Sequence, residues 1–211
     1  SGTYAQHNGV WGDVPGAIET HAAKNITITN SELRNLGIGG IRIGNGSSDC
    51  AITNSAIHDI SSSGIFIGNN TGHNHGYCDP GTDVTGVVVR NNYITRTGLD
   101  IFGSSAICAL YTSDTVIDHN EVCYTTYTGI SLGWGWDWKN APCSGNNTVS
   151  NNYIHDTGKT IHDGGSFYSL GLQEGTKVFG NYLHHHSDGL YDKDGGLYTD
   201  EGSTGMELYN N

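Results

Sequence analysis

Seven times along the chain a short apolar run enters an Asn-rich corner, and in most copies it leaves through another apolar residue. The copies read ITITNSEL (26–33), CAITNSAI (50–57), VVVRNNYI (87–94), TVIDHNEV (115–122), TVSNNYI (148–154), KVFGNYL (177–183) and ELYNN (207–211). The last apolar residue before each corner is Ile28, Ile52, Val89, Ile117, Val149, Val178 and Leu208, so successive copies lie 24, 37, 28, 32, 29 and 30 residues apart. Such a period predicts a solenoid, in which each repeat buries its apolar side only against its neighbours.

A second strand recurs in phase with the first: GIRIG (40–44), GIFIG (64–68), AICAL (106–110), GISLG (129–133), SFYSLG (166–171) and GLYTDEG (196–202). Its alternation predicts that Ile41/Ile43, Ile65/Ile67, Ile107/Ala109, Ile130/Leu132, Phe167/Ser169 and Leu197/Thr199 point inward. Arg42, Phe66, Cys108, Ser131, Tyr168 and Tyr198 then form an outward stripe. Two or more short strands per coil, joined by tight polar turns, describe an all-β, right-handed parallel β-helix of six to seven coils. A single domain over residues 1–211 is expected, with uncapped ends that mark a piece of a longer chain or a unit that stacks. Within the corners, Asn92, Asn120, Asn152, Asn181 and Asn211 share one phase, begun by Ser31 and Ser55, and predict a side-chain ladder running from coil to coil.

Composition narrows the partners. A chain that is 35% hydrophobic with 32 Gly suits a narrow solenoid better than a sandwich. The net charge is −12 and the nine Lys and Arg are scattered, so no basic patch is available for nucleic acid or an anionic membrane. No apolar run approaches membrane-spanning length, and no insertion is expected. A polysaccharide or glycan is the expected partner. Sequons at Asn25, Asn45, Asn69 and Asn146 point to an extracellular, glycosylated protein. The five cysteines lack CxxC spacing, which favours disulfides over zinc, with Cys78 and Cys143 in the loops where a staple helps most. There is no phosphate loop or dinucleotide fingerprint, and no cofactor is expected.

The loop after GISLG holds Trp134, Trp136 and Trp138 around Asp137, and Gly spacers there predict exposed indoles on which a sugar ring can stack. Carboxylates cluster in the next two coils: Asp163, then Asp192, Asp194, Asp200 and Glu201. Glycosidic hydrolysis typically uses two carboxyl groups, one as acid and one as nucleophile or base. Asp163 and Asp194 precede the inward residues Phe167 and Leu197 of their strands by four and three residues, which makes them coil neighbours. Asp200 and Glu201 lie at the far end of their strand, so Asp163 meets Asp200 only if the chain bends sharply at residues 164–166. Asp200 has the alternative of capping the turn before Gly202. His58, His155 and His184 share a phase and suggest stacking; His184 and His186 are the pair placed to share a cation, but no metal site is assigned.

The runs TTYTGISLGWGW, HDGGSFYSLG and LYTDEGSTG resemble segments of secreted β-helix proteins like family 141 glycoside hydrolases and, more loosely, family 120 xylosidases. The resemblance spans most of residues 10–211. It implies a pectate-lyase-like superhelix with a groove over these strands, and it points to Asp163 and Asp200, with Glu201 adjacent, as acids. The expected function is therefore a secreted glycoside hydrolase, with Asp163, Asp200, Glu201 and Asp194 as candidate catalytic groups and Trp134, Trp136, Trp138, Tyr168 and Tyr198 against the substrate. The alternatives are a non-enzymatic adhesin or filament unit that stacks end to end, and a binding module without turnover.

Overall fold

The computed structural model describes residues 14–68, 81–135, 139, 143–187 and 195–211. Among them there is no helix, so none is long and apolar enough to cross a membrane. The chain winds as a right-handed parallel β-helix with three long sheets, each built by one strand per coil, and a short fourth sheet that pairs Val84–Thr85 with Thr112–Ser113. The first sheet stacks Gly16–Thr20, Gly39–Ile43, Ile65–Gly68, Ile107–Leu110, Ile130–Leu132, Gly165–Ser169 and Gly195–Thr199 in that order. The second carries the strands that enter the Asn corners, from Thr27–Thr29 to Thr204–Tyr209. The third carries those that leave them, from Glu32–Leu36 to Tyr182–His184. The residue that follows each corner thus opens a strand of its own, which makes three strands per coil.

The inward positions are as expected. Ile41, Ile43, Ile65, Ile67, Ile107, Ala109, Ile130, Leu132 and Phe167 are buried in one continuous core with Ile52, Val89, Ile117, Val149 and Val178 of the second sheet and Ile57, Ile94, Val122 and Ile154 of the third. The register repeats without slippage through the central coils, as in Ile41↔Ile65↔Ile107↔Ile130↔Phe167↔Leu197. Leu197 is 38% exposed, because in this structure its coil has a neighbour on one side only.

At the corners two adjacent residues divide the work. The first adopts a left-handed backbone: Asn30, Asn54, Asn91, His119, Asn151 and Asn210 have φ between 50° and 56°, and Gly180 has φ 66°. Asn accepts this conformation at low cost and Gly at none, which explains the residue choice. The second residue turns its side chain inward and makes the ladder. Asn152 accepts from the Asn120 amide N–H and Nδ2 (both 3.0 Å), while its own Nδ2 donates to Ile117 O (3.0 Å) and Asn181 Oδ1 (2.9 Å). The same set recurs from Asn92 to Asn211, and Ser55 carries the ladder toward Ser31.

Cys143 is disulfide-bonded, to a partner outside the described residues, whereas Cys50, Cys108 and Cys123 are buried free thiols. The His184 and His186 pairing does not form. The strand ends at His184, and His185 takes a left-handed φ of 52°, so the two rings part. His186 Nδ1 pairs with Thr157 Oγ1 at 2.7 Å, and His184 Nε2 with Tyr153 OH at 2.9 Å.

Candidate active site

The middle of the outward stripe of the first sheet does not face solvent. Phe66, Cys108 and Tyr168 are buried beneath Leu110, Tyr111, Tyr127, Trp134 and Leu170, which form a second apolar cluster on the flank. Burial pushes the Cys108 thiol up to about 12, opposed only by the Arg42 charge, so it is no nucleophile at neutral pH. Arg42 itself is engaged with Glu19 (3.7 Å) and lies over the Phe66 ring, several coils from the carboxylates.

Trp134 belongs to this cluster and is only 4% exposed. The exposed indole expected there is instead folded back onto the flank, because the ring has apolar partners on the outer stripe to cover. Trp136, Trp138, Asp137, Asp194 and Asp192 lie outside the described residues, as does Asn69.

Asp163 sits at the entry to strand Gly165–Ser169 with a left-handed φ of 69°. The bend that brings it in is tight. A Cβ on Gly164 would lie 2.7 Å from Thr128 Oγ1 and 2.8 Å from the Tyr127 ring, so only glycine fits. Tyr127 OH donates to the Asp163 carbonyl at 2.9 Å and fixes that bend.

Asp200 follows strand Gly195–Thr199, where its N–H donates to Ser169 O (2.9 Å), tying the turn to the preceding coil. Its carboxylate does two things. Oδ1 accepts the Glu201 amide at 2.8 Å, which is the turn-capping role, and Oδ2 accepts Tyr168 OH at 2.6 Å. Glu201 is exposed at the turn.

Two tyrosines join the carboxylates. Tyr168 and Tyr198 are register partners on adjacent strands, with rings edge to face and centroids 5.5 Å apart. Tyr168 reaches toward Asp200, while Tyr198 OH reaches the other way and donates to Asp163 Oδ1 at 3.4 Å. Tyr198 lies in the field of both: burial raises its pKa first, then the charges of Asp200 and Asp163, and to a lesser extent Glu201. Tyr127 is raised by burial and then by Asp163 and, more weakly, Asp200; Tyr168 is raised by burial and its bond to Asp200. All three phenols therefore stay protonated and act as donors at any ordinary pH. The result is two carboxylates arranged around a tyrosine cluster on neighbouring coils. Tyr127 was not among the candidates from sequence; its position three residues before Ile130, as Gly164 stands three before Phe167 in the next coil, was the available signal.

Of the sequon asparagines, Asn25 and Asn146 are exposed, whereas Asn45 is half-buried with its Oδ1 shielded from solvent.

The family described as "Right handed beta helix region" matches residues 16–211, and the chain belongs to it. No curated protein matches the chain in sequence. Among solved structures, a protein described as "Glycoside hydrolase" superposes with a TM-score of 0.78 at 27% identity, over 92% of this chain and 34% of its own length. This chain thus spans about a third of that relative. An alginate lyase from Paenibacillus sp. str. FPU-7 superposes with a TM-score of 0.50 at 17% identity, over 89% of this chain and 68% of the lyase, which is a likeness of fold alone. Both neighbours are carbohydrate-active β-helix proteins.

Proposed function

We propose that this chain is the site-bearing part of an extracellular glycoside hydrolase, in which Asp163 and Asp200 are the paired carboxyl groups that cleave a glycosidic bond in a polysaccharide or glycan. The single observation that carries this reading is the Tyr168–Tyr198 pair, which ties one carboxylate to each end of a shared phenol cluster. Two carboxyl groups in distinct settings are what acid and base roles require. The likeness to a glycoside hydrolase at 27% identity supports the same class. Tyr168 and Tyr198 orient the carboxylates, with Tyr198 open enough to touch substrate. Glu201 adjoins Asp200 as a further acid; Asp194, as another acid, and Trp136 and Trp138, as apolar surface for a sugar, remain candidates on sequence grounds. Glycans at Asn25 and Asn146 suit a secreted protein, since both stand at exposed corners.

The test is product analysis on a panel of plant, algal and bacterial polysaccharides. Hydrolysis yields new reducing ends without unsaturation. Unsaturated, ultraviolet-absorbing products would assign a lyase instead, and no release from any substrate would favour a binding or structural role.

A further inference from the structure

The outer face of the third sheet holds a cluster that has no part in the site above. Glu121 and Cys123 are alternate residues of one strand and so emerge on the same face, with Val122 buried in the core between them. His155 lies in register with Cys123 on the next coil. One carboxylate oxygen of Glu121, the Cys123 sulfur and one His155 nitrogen all fall within 4.8 Å of one another. Cys123 and His155 are buried, while the Glu121 side chain, 45% exposed, forms the rim.

The surroundings orient each of these atoms. His155 Nδ1 lies 2.9 Å from Asp156 Oδ2, and Asp156 is held in turn by Lys159 Nζ at 3.1 Å. In the neutral ring that bond places the proton on Nδ1 and leaves the Nε2 lone pair facing Glu121 Oε1 at 3.5 Å. Two acceptors that face each other are reconciled by a proton on Nε2 or by a metal ion between them. A carboxylate behind a histidine is the usual outer support of a metal-bound imidazole. The Cys123 thiol donates to Thr95 Oγ1 (3.4 Å) and lies 3.8 Å from Tyr93 OH. Once the sulfur is a thiolate, both hydroxyls can turn and donate to it.

The fold contains its own control. Three coils earlier, His58 Nδ1 meets Asp59 Oδ2 at 2.7 Å and Nε2 meets Glu32 Oε1 at 3.1 Å, the same frame of Glu, His and Asp. There the register partner of the histidine is Arg34, whose guanidinium lies 3.8 Å from Glu32 and supplies positive charge. In the second frame Cys123 stands at the Arg34 position. A soft, ionisable ligand has replaced a fixed cation.

We propose that Glu121, Cys123 and His155 bind one zinc ion, with the fourth position open to water at the Glu121 rim. A thiolate, an imidazole and a carboxylate fit zinc, whereas calcium and magnesium require mainly oxygen ligands. The ion pins two coils together across the outer face.

Cobalt reports the site directly, because a thiolate ligand gives Co²⁺ a charge-transfer band in the near ultraviolet. The full chain titrated with Co²⁺ develops that band to one equivalent, and Zn²⁺ abolishes it by displacement. Cys123→Ser and His155→Gln lose the band; His58→Gln, in the control frame, keeps it. Asp156→Asn, which leaves every ligand in place, weakens Zn²⁺ binding about 10- to 100-fold and keeps the proposal testable if a ligand variant fails to fold. Absence of the band in the native chain, or its persistence in Cys123→Ser, overturns the assignment.

Discussion

Replacing Asn152 by alanine strips one rung from the ladder that holds the coils in register. Asn152 is 1% exposed. Its loss leaves two buried groups without the partners it provided: the Asn120 N–H, which donates to Asn152 Oδ1 at 3.0 Å, and the Ile117 carbonyl, which accepts from Asn152 Nδ2 at 3.0 Å. The Asn120 side chain keeps its bond to Val89 O, and Asn181 Oδ1 keeps the Asn152 backbone N–H, so these atoms are not orphaned. Two unsatisfied buried groups cost about 1–3 kcal/mol each, or about 2–6 kcal/mol together. That is a large share of the roughly 5–15 kcal/mol that keeps a domain folded. Asn211 makes the same bonds at the end of the ladder, with Asn181 and Val178, but it is exposed, so water replaces them and Asn211→Ala costs less than about 1 kcal/mol. Guanidinium unfolding followed by far-ultraviolet circular dichroism reads both. Equal midpoints for the two variants, or a shift below about 1 kcal/mol for Asn152→Ala, would refute the view that the ladder is a buried, mutually dependent structure.

Three further outcomes are expected. Asp118 accepts Ser150 Oγ (2.7 Å), Asn151 Nδ2 (3.0 Å) and His119 Nδ1 (2.8 Å), and although burial opposes its charge these bonds win, lowering its carboxyl from 3.8 to about 2. The depressed value stabilises the fold at pH above 3.8 and is lost as pH falls toward 2. Asp118→Asn removes about 2 kcal/mol of that acid sensitivity, seen as a flatter midpoint-against-pH curve. Tyr168→Phe deletes the 2.6 Å donor to Asp200; a bond to a charged group is worth about 1.5–3 kcal/mol, so kcat falls up to roughly 10- to 150-fold with a displaced pH profile, and the thermal midpoint drops by several degrees. Gly164→Ala drives a Cβ to 2.8 Å from the Tyr127 ring and reduces activity by shifting Asp163, whereas Gly37→Ala, with open space around its Cβ, leaves activity intact.

The repeat was legible because stacking forces it: Ile28, Ile52, Val89 and their successors must recur in phase to fill a core that each coil shares with the next. The ladder asparagines were legible for the same reason, although the split between a left-handed Asn151 and an inward Asn152 needed the backbone. Tyr168 and Tyr198 could be placed on the outward stripe by alternation alone. What covers that stripe could not be placed, since the loop bearing Trp134 and the bend at Gly164 vary from coil to coil and obey no period. The placing of Asp163 beside Tyr198 depends on that same bend, through a Gly164 contact with Tyr127 that only the folded coil creates. Likewise, Glu121, Cys123 and His155 carry no metal-ligand spacing; parallel register alone assembles them.

The central claim is that Asp163 and Asp200 act together on a glycosidic bond. The most direct measurement is reducing-end release by Asp163→Asn and Asp200→Asn beside the native chain, on a polysaccharide the native chain cleaves, with circular dichroism confirming the coil. Loss of at least about a hundredfold in kcat in each variant, with the fold retained, is the predicted result. Native-level turnover in either folded variant would contradict it.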